Sequence, residues 1–397
     1  MSKNAEKIIN KLIKNGYEAY LIGGCVRDML MENDPLDYDI TTSATPDIVT
    51  NLFERTVPTG LKHGTVTVII EKKSYEVTTF RTEGIYEDQR HPKEVVFTKS
   101  LKEDVKRRDF TINSIAYNNR EGFIDYYGGK EDIKNKIIKT VGNPSERFSE
   151  DPLRILRGIR FAARFGFCID EATYTSMKEL MPLVKNISKE RIFDELSKMF
   201  SKNPKEAVIL LCDTGFFDIF FAIPAKENIE LIDKLKVKNF VTVFSLLYYN
   251  NLQYKEYLKL LKCSNKIKSD VDKICCCTDT KLYTKQDIKM MLKNHCFEDL
   301  IDEIFDIKIL LKTADNSVYR MYEEIKINQE CYQLSSLAIN GKDLIKLGLK
   351  NDEIKKTLDC LLNLVITDNS LNEKKNLTEI LLTEKEREMH IKKQRKT

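Results

Sequence analysis

Asp37 and Asp39 stand two residues apart in Asp37-Tyr38-Asp39-Ile40. On a strand, positions i and i+2 face the same side, so this spacing predicts two carboxylates side by side. Like charges so placed repel unless a cation lies between them. A divalent metal shared with substrate phosphates is the usual resolution, and Mg²⁺ binds in this way. Just upstream, Leu21-Ile22-Gly23-Gly24-Cys25-Val26-Arg27-Asp28 reads as a strand that ends in two glycines, with a helix starting at once. Glycine lets a backbone approach a ligand closely, and the free N–H groups at the start of the helix that follows suit an anion. Arg27, one turn in, is placed for a bidentate phosphate contact. An isolated D-x-D is more often a solvated pair at a strand edge, and an isolated Gly-Gly is more often a tight turn. In this order they point instead to phosphates held against a metal. Neither G-x-x-x-x-G-K-[ST] nor G-x-G-x-x-G occurs, which excludes a P-loop and a dinucleotide fingerprint. Glu76 is either a third carboxylate of this cluster or a surface residue.

Two arginine-rich stretches follow. In Lys106-Arg107-Arg108-Asp109, paired guanidiniums suit a triphosphate, with the acid orienting one of them. In Glu150-Asp151-Pro152-Leu153-Arg154-Ile155-Leu156-Arg157-Gly158-Ile159-Arg160, an α-helix with Arg154 as origin puts Asp151 at roughly +60°, Arg157 at roughly −60° and Arg160 at roughly −120°. Ile155, Leu156, Ile159, Ala162 and Ala163 fall on the other face. A routine surface helix would mix Lys and Glu among its arginines, so a stripe of Arg alone argues for an anionic ligand. Asp151 and Arg154 add a possible base-reading function. An ionised Asp only accepts hydrogen bonds and an Arg only donates. Cytosine and adenine both offer an amino donor beside a ring-nitrogen acceptor, whereas uracil and guanine offer the reverse. The pair therefore suits C and A and leaves unpaired groups against U and G, the strong route to rejection.

The elements that position these residues change character along the chain. Before about residue 143, runs rich in Val, Ile, Thr and Tyr predict strands at Glu18–Ile22, Tyr38–Thr41, Thr65–Ile70, Tyr75–Phe80, Val95–Phe97 and Phe123–Tyr127. A hairpin turns over Glu71–Ser74, and helices lie at Val26–Met31 and Pro46–Phe53, the latter with Thr45 as its cap. Afterwards the strands fade, and helical spacing recurs at Leu153–Phe165, Lys189–Phe200, Lys205–Cys212, Asn228–Leu235, Tyr254–Leu261, Lys285–Leu292, Leu300–Lys312, Ser317–Ile327 and Glu353–Val365. The 397 residues are too many for one core, and 42% apolar with 32% charged residues excludes global disorder. The net charge of +4 confines any nucleic-acid surface to local patches. No apolar run reaches the roughly 18 residues of a membrane span, and the start lacks a signal peptide's apolar centre. Ten cysteines without paired C-x-x-C motifs read as a reduced, cytoplasmic protein with no zinc site. The last residues, TEKEREMHIKKQRKT, read as a frayed, solvated end.

Taken in order, GGCVRD, DPLDYDITTSATP, GLKHGTV, YEVTTFRTEG, KRRDFTINSIAY, DYYGGKEDI, EDPLRILRGIRFAARFGF and ISKERIFDEL cover residues 21–196 with little interruption. This set resembles the class II tRNA nucleotidyltransferases, the CCA-adding enzymes, and their poly(A) polymerase relatives, and LAINGKDLIKLG resembles the family's tail segment. The resemblance implies an α+β protein: a polymerase-β-type nucleotidyltransferase head with a mixed sheet, followed by an all-α neck, body and tail. The expected boundaries are head 1–142, neck 143–205, body 206–330 and tail 331–397. It implies Mg²⁺ at the catalytic Asp37 and Asp39, and nucleotide contacts from Gly24, Arg27, Arg108, Asp151, Arg154, Arg157 and Arg160. It also implies a loop at 82–92 required for the switch to adenosine, here carrying His91 where the family often has a second arginine. The expected activity is template-independent addition of C, C and A to a tRNA 3′ end from CTP and ATP, with no membrane partner and as either monomer or homodimer. The alternatives are an A-adding enzyme, a poly(A) polymerase, a small-molecule nucleotidyltransferase and a catalytically silent RNA-binding homologue.

Overall fold

The computed structural model describes residues 2–83, 95–277, 281–295 and 298–383. It divides into two compact units, Met1–Pro224 with Lys259–Lys262, and Ala225–Leu258 with Cys263–Thr397.

The first unit opens with α1 (Lys3–Lys14), whose Ala5, Ile8, Ile9 and Leu12 form one buried stripe at helical spacing. The strands that follow are β1 (Ala19–Ile22), β2 (Asp39–Thr42), β3 (Thr56–Gly60), β4 (Thr65–Ile70), β5 (Lys73–Thr79), β6 (Arg81–Glu83), β7 (Val95–Phe97), β8 (Ala116–Asn118) and β9 (Gly122–Ile124). Seven of them make a mixed sheet in the order β3-β4-β5-β2-β1-β8-β9, with β2 and β5 parallel and every other neighbouring pair antiparallel. Strands β6 and β7 pair separately. The β4–β5 hairpin closes more tightly than expected, on Glu71 and Lys72 alone, at φ 51° and 64°. Two positive φ values give the turn whose twist matches its strands, here without glycine. Strand β3 was not predicted because it contains Pro58, which an edge strand tolerates.

Among the helices, α2 (Gly24–Leu30) and α3 (Pro46–Leu52) interrupt the strands, and α4 (Leu101–Lys106) follows β7. Thr45 occupies the cap position of α3, but its side chain makes no capping bond, whereas Ser100 caps α4 through the Glu103 N–H. Helix α4 packs on the sheet through Leu101 and Val105, which join Tyr20, Ile22, Phe80 and Ala116 in one buried cluster. Burying Leu101, Val105, Ile22 or Phe80 stabilises the fold by roughly 1.5–3 kcal/mol each.

Next come α5 (Gly129–Lys134), α6 (Pro144–Glu150), α7 (Leu153–Phe165), α8 (Glu171–Leu180), α9 (Lys189–Phe200) and α10 (Pro204–Asp213). Helix α7 approaches Phe110 so closely at Gly158 that an added Cβ would lie 2.9 Å from the ring and 2.3 Å from Met177.

Among its described residues, the second unit is built of helices, among them Phe240–Tyr248, Asn265–Cys277, Lys285–His295, Ser317–Ile327 and Asn351–Thr367. Leu344, Leu361, Leu362, Val365, Ile366 and Leu377 form the core of its C-terminal part. Periodicity found Leu153–Phe165, Lys189–Phe200 and Ser317–Ile327 to the residue. It missed Phe240–Tyr248, which is buried nearly all round and so has no exposed polar face to set off a stripe. The fold is thus α+β, a mixed-sheet head with a helical remainder. Among the described residues, no helix is long and apolar enough to cross a membrane.

Candidate active site

The site forms where β1 ends. Ile22 pairs with Asp39 across the antiparallel β1–β2 ladder, and Asp39 pairs with Glu76 across the parallel β2–β5 ladder. Paired residues point to the same face, so the register brings the Glu76 carboxylate beside Asp39. Asp37 lies in a bend before β2 rather than on the strand, which begins at Asp39. The two aspartates are therefore not neighbours along a strand, although Asp37 still acts electrostatically on Asp39. Protein packed around Asp39 raises its carboxyl above the ordinary range, Glu76 and Asp37 push in the same direction, and Arg108 opposes them. Such a cluster favours a cation. Among the described residues, no group of three or more His, Cys, Asp or Glu side chains is arranged as a self-sufficient metal site. Two carboxylates completed by substrate phosphates and water still fit Mg²⁺.

Gly23 holds these pieces in contact. Its φ of 77° with ψ of −133° is a conformation essentially confined to glycine. A Cβ there would sit 3.4 Å from Arg108 Nη1 and 3.9 Å from Asp39 Oδ2. Gly23→Ala is expected to cost roughly 1–3 kcal/mol in stability. It should also raise the nucleotide KM as Arg108 is displaced; thermal melts and initial rates on the same preparation check both effects. The sequence had pointed to Gly24, whose Cβ would meet only the Arg27 guanidinium, at 3.4 Å.

The arginines have acidic partners from other elements. Arg108 is partly buried between Asp104, at 3.5 Å, and the Gly23–Asp39 edge, and the protein around it lowers its pKa against the pull of Asp104. Arg157 donates through Nε (2.8 Å) and Nη2 (2.7 Å) to Asp109, and Arg160 through Nε to Glu195 at 2.6 Å. Arg154 reaches Glu150 at 2.7 Å and the carbonyls of Arg147 and Arg107. Arg27 is the most enclosed of these arginines. Its Nε and Nη2 donate to Asp28, its Nη1 donates to Asn113 at 2.7 Å, and the Phe165 ring lies 4.6 Å from the guanidinium carbon. That geometry holds the side chain behind the glycine turn.

Asp151 corrects the helical projection. Helix α7 begins at Leu153, and Asp151 is extended at φ −143°, ψ 97°, so it lies in the junction after α6. Its carboxylate accepts two bonds from Arg191 of α9, at 2.8 and 3.3 Å, and one from the Leu153 N–H. Asp151 and Arg154 are thus each oriented by a partner of their own. The partners Arg191 and Glu195 were not singled out, although both lie in the segment ISKERIFDEL. Their spacing of four residues on one helix, facing α7, was the available signal.

Asp109 sets an acid limit to this arrangement. Burial alone would raise its carboxyl, but Arg157 with bonds from Asn113 and the Phe110 N–H holds it at about 2. A depressed folded pKa gives stability that is present above the unfolded value and lost as pH falls towards the folded one. Between about pH 4 and pH 2 the protein should lose roughly 2 kcal/mol through this group. Denaturant melts of Asp109→Asn should lack that part of the loss.

A mixed sheet bearing carboxylates at the end of a glycine turn, with buried arginines around it, has the form of a nucleotidyltransferase head. Family models agree: a poly A polymerase head domain matches residues 19–139, a probable RNA and SrmB-binding site of polymerase A matches 166–227, and a tRNA nucleotidyltransferase domain 2 matches 236–381. The CCA-adding enzyme of Staphylococcus saprophyticus is 36% identical over 90% of this chain and 92% of its own. That of Oceanobacillus iheyensis is 36% identical over 95% and 96%. The Bacillus stearothermophilus CCA-adding enzyme, solved in complex with CTP, superimposes with a TM-score of 0.82 at 29% identity, covering 98% of this chain and all of that one. The chain belongs to the family of CCA-adding enzymes. It is a nucleotidyltransferase that adds C, C and A to the tRNA 3′ end without a template.

Proposed function

We propose that Asp37 and Asp39 hold Mg²⁺ at the end of β1, while Gly24, Arg108, Arg154, Arg157 and Arg160 bind the incoming nucleotide and Asp151 reads its base. Arg27 supports the glycine turn from within. The observation that carries this reading is the approach of Arg108 and Asp39 to the same glycine, Gly23, which sets a cation-binding carboxylate beside a partly buried guanidinium. A triphosphate needs both, a metal on one side of its oxygens and a fixed positive charge on the other. When bound, the metal supplies charge neutralisation and lowers the pKa of the attacking hydroxyl. The chain's own residues orient the triphosphate so that its pyrophosphate can leave in line with the tRNA 3′-hydroxyl. CTP and ATP are the donors and tRNA the acceptor, with the helical remainder gripping tRNA by shape and phosphate contacts. The division into head, neck, body and tail at 142, 205 and 330 is part of the proposal, as is a cytoplasmic location.

The segment 84–94, which includes most of the loop tied to the adenosine switch, lies outside the described residues. Thr82 and Glu83 belong to β6, which pairs with β7 beyond that segment. The decisive test supplies tRNA lacking its last three nucleotides with Mg²⁺, CTP and ATP. A product three nucleotides longer is expected. A ladder of A tails would establish polymerase activity instead, and a requirement for a preformed C-C end would establish A addition alone.

A further inference from the structure

Asp104 is fully buried in α4 and receives donors from three separate parts of the head. Its Oδ1 accepts from the Arg81 backbone N–H at 3.2 Å and from Arg107 Nε and Nη2 at 3.0 and 2.9 Å. Its Oδ2 accepts from the Thr41 hydroxyl at 3.1 Å and faces Arg108 Nη2 at 3.5 Å. Thr41 lies two residues beyond Asp39 on the same strand, so it stands on the same face of the sheet. A carboxylate removed from water is tolerated only when charges and donors compensate it, and here they come from strand, hairpin and arginine pair together. Burial would raise the Asp104 carboxyl, yet Arg107 and Arg108 hold it below its usual range, so the charged form is the one that is built in.

The other side of Arg108 faces Gly23 and Asp39. Its Nε is buried and, among the described residues, has no hydrogen-bond partner. Among the described residues, Asp104 is the acid within ion-pair distance of this guanidinium and so fixes its direction, while Asp39 and Asp109 act on it from further away. We propose that Asp104 is a positioning residue for nucleotide binding, locking Arg108 to the strand that carries Asp39 so that its free side meets the triphosphate without reorganisation. This inference rests on the reading of Arg108 as a nucleotide-binding residue. Preorganising a guanidinium matters because an unfixed one must be ordered at the moment of binding, which lowers affinity.

The test measures equilibrium binding of CTP and of ATP, with Mg²⁺ and without tRNA, to the full chain and to Asp104→Asn, Arg108→Ala and the double variant. Asparagine keeps the volume but removes the charge and turns an amide donor towards another donor. Asp104→Asn should weaken both nucleotides roughly tenfold, with kcat at saturating nucleotide changing far less. In the Arg108→Ala background, the same substitution should add almost nothing, because residues acting as one unit are not additive. A merely structural Asp104 would lower the melting temperature and leave the affinity of the folded fraction intact. If Arg108→Ala weakens binding but Asp104→Asn does not, or if the two losses add in full, the positioning role is overturned while the reading of Arg108 stands. If Arg108→Ala itself binds normally, that reading fails and the proposal falls with it. Should Asp104→Asn not fold, Thr41→Val removes one donor from the same carboxylate at nearly equal volume. Weaker nucleotide binding then supports the proposal, and unchanged binding overturns it.

Discussion

Asp39→Ala is expected to abolish the incorporation of C and of A alike, because one carboxylate cluster serves every addition. Losing the metal's charge stabilisation removes several kcal/mol from the transition state, roughly a thousandfold or more in rate. Folding should not suffer. Burial, Glu76 and Asp37 all raise the Asp39 carboxyl against the pull of Arg108, so removing it relieves repulsion and desolvation. Arg108 loses an attraction in return, but Asp104 still faces it at 3.5 Å. The melting temperature should therefore stay near that of the wild type or rise slightly. Asp37→Ala should also abolish both additions. Labelled CTP and ATP supplied singly to tRNA substrates, with a thermal melt of each variant, would decide the matter. A variant that extends tRNA at close to the wild-type rate would show that the cation lies elsewhere.

What the sequence made legible was local. The Leu153–Phe165 helix and its arginine stripe follow from spacing alone, because an apolar face at helical period needs no knowledge of what covers it. The acids opposite those arginines were not legible. Asp109 and Glu195 meet Arg157 and Arg160 only after the chain has folded across separations of 48 and 35 residues. Spacing alone gave a run of positive charge, whereas the folded protein has three guanidiniums, each oriented by an acid. Glu76 shows the same limit in a sheet: its alternation with Tyr75 and Val77 assigned a face, but only the register of two parallel strands puts it beside Asp39. Asp37 and Asp151 were both placed by assuming that an element extends one turn or one pleat further than it does. Strand β2 begins at Asp39, where pairing with Ile22 begins, and α7 begins after Pro152, which stands at its N-cap. Both chemical residues lie just outside regular structure, where local patterns end.

The position of Asp151 sharpens what its replacement should do. With its backbone extended and its carboxylate gripped by Arg191, it is an oriented acceptor rather than a member of a helical face. Asp151→Ala deletes the acceptor and leaves Arg191 without this partner, so rate and discrimination should both fall. Losing one positioned hydrogen bond costs about 1–3 kcal/mol, which predicts a tenfold or larger change in the preference for C and A over U and G. Asp151→Asn separates the two effects, because its amide keeps one oxygen towards Arg191 and turns an N–H towards the base. That N–H opposes the amino groups of cytosine and adenine but matches the carbonyls of uracil and guanine. The asparagine variant should therefore accept UTP relative to CTP more readily than the alanine variant does. Single-nucleotide incorporation with all four triphosphates, compared as kcat/KM ratios, provides the measurement. Equal slowing with every nucleotide in both variants would leave Asp151 as a support for the α6–α7 junction and move base reading to another residue.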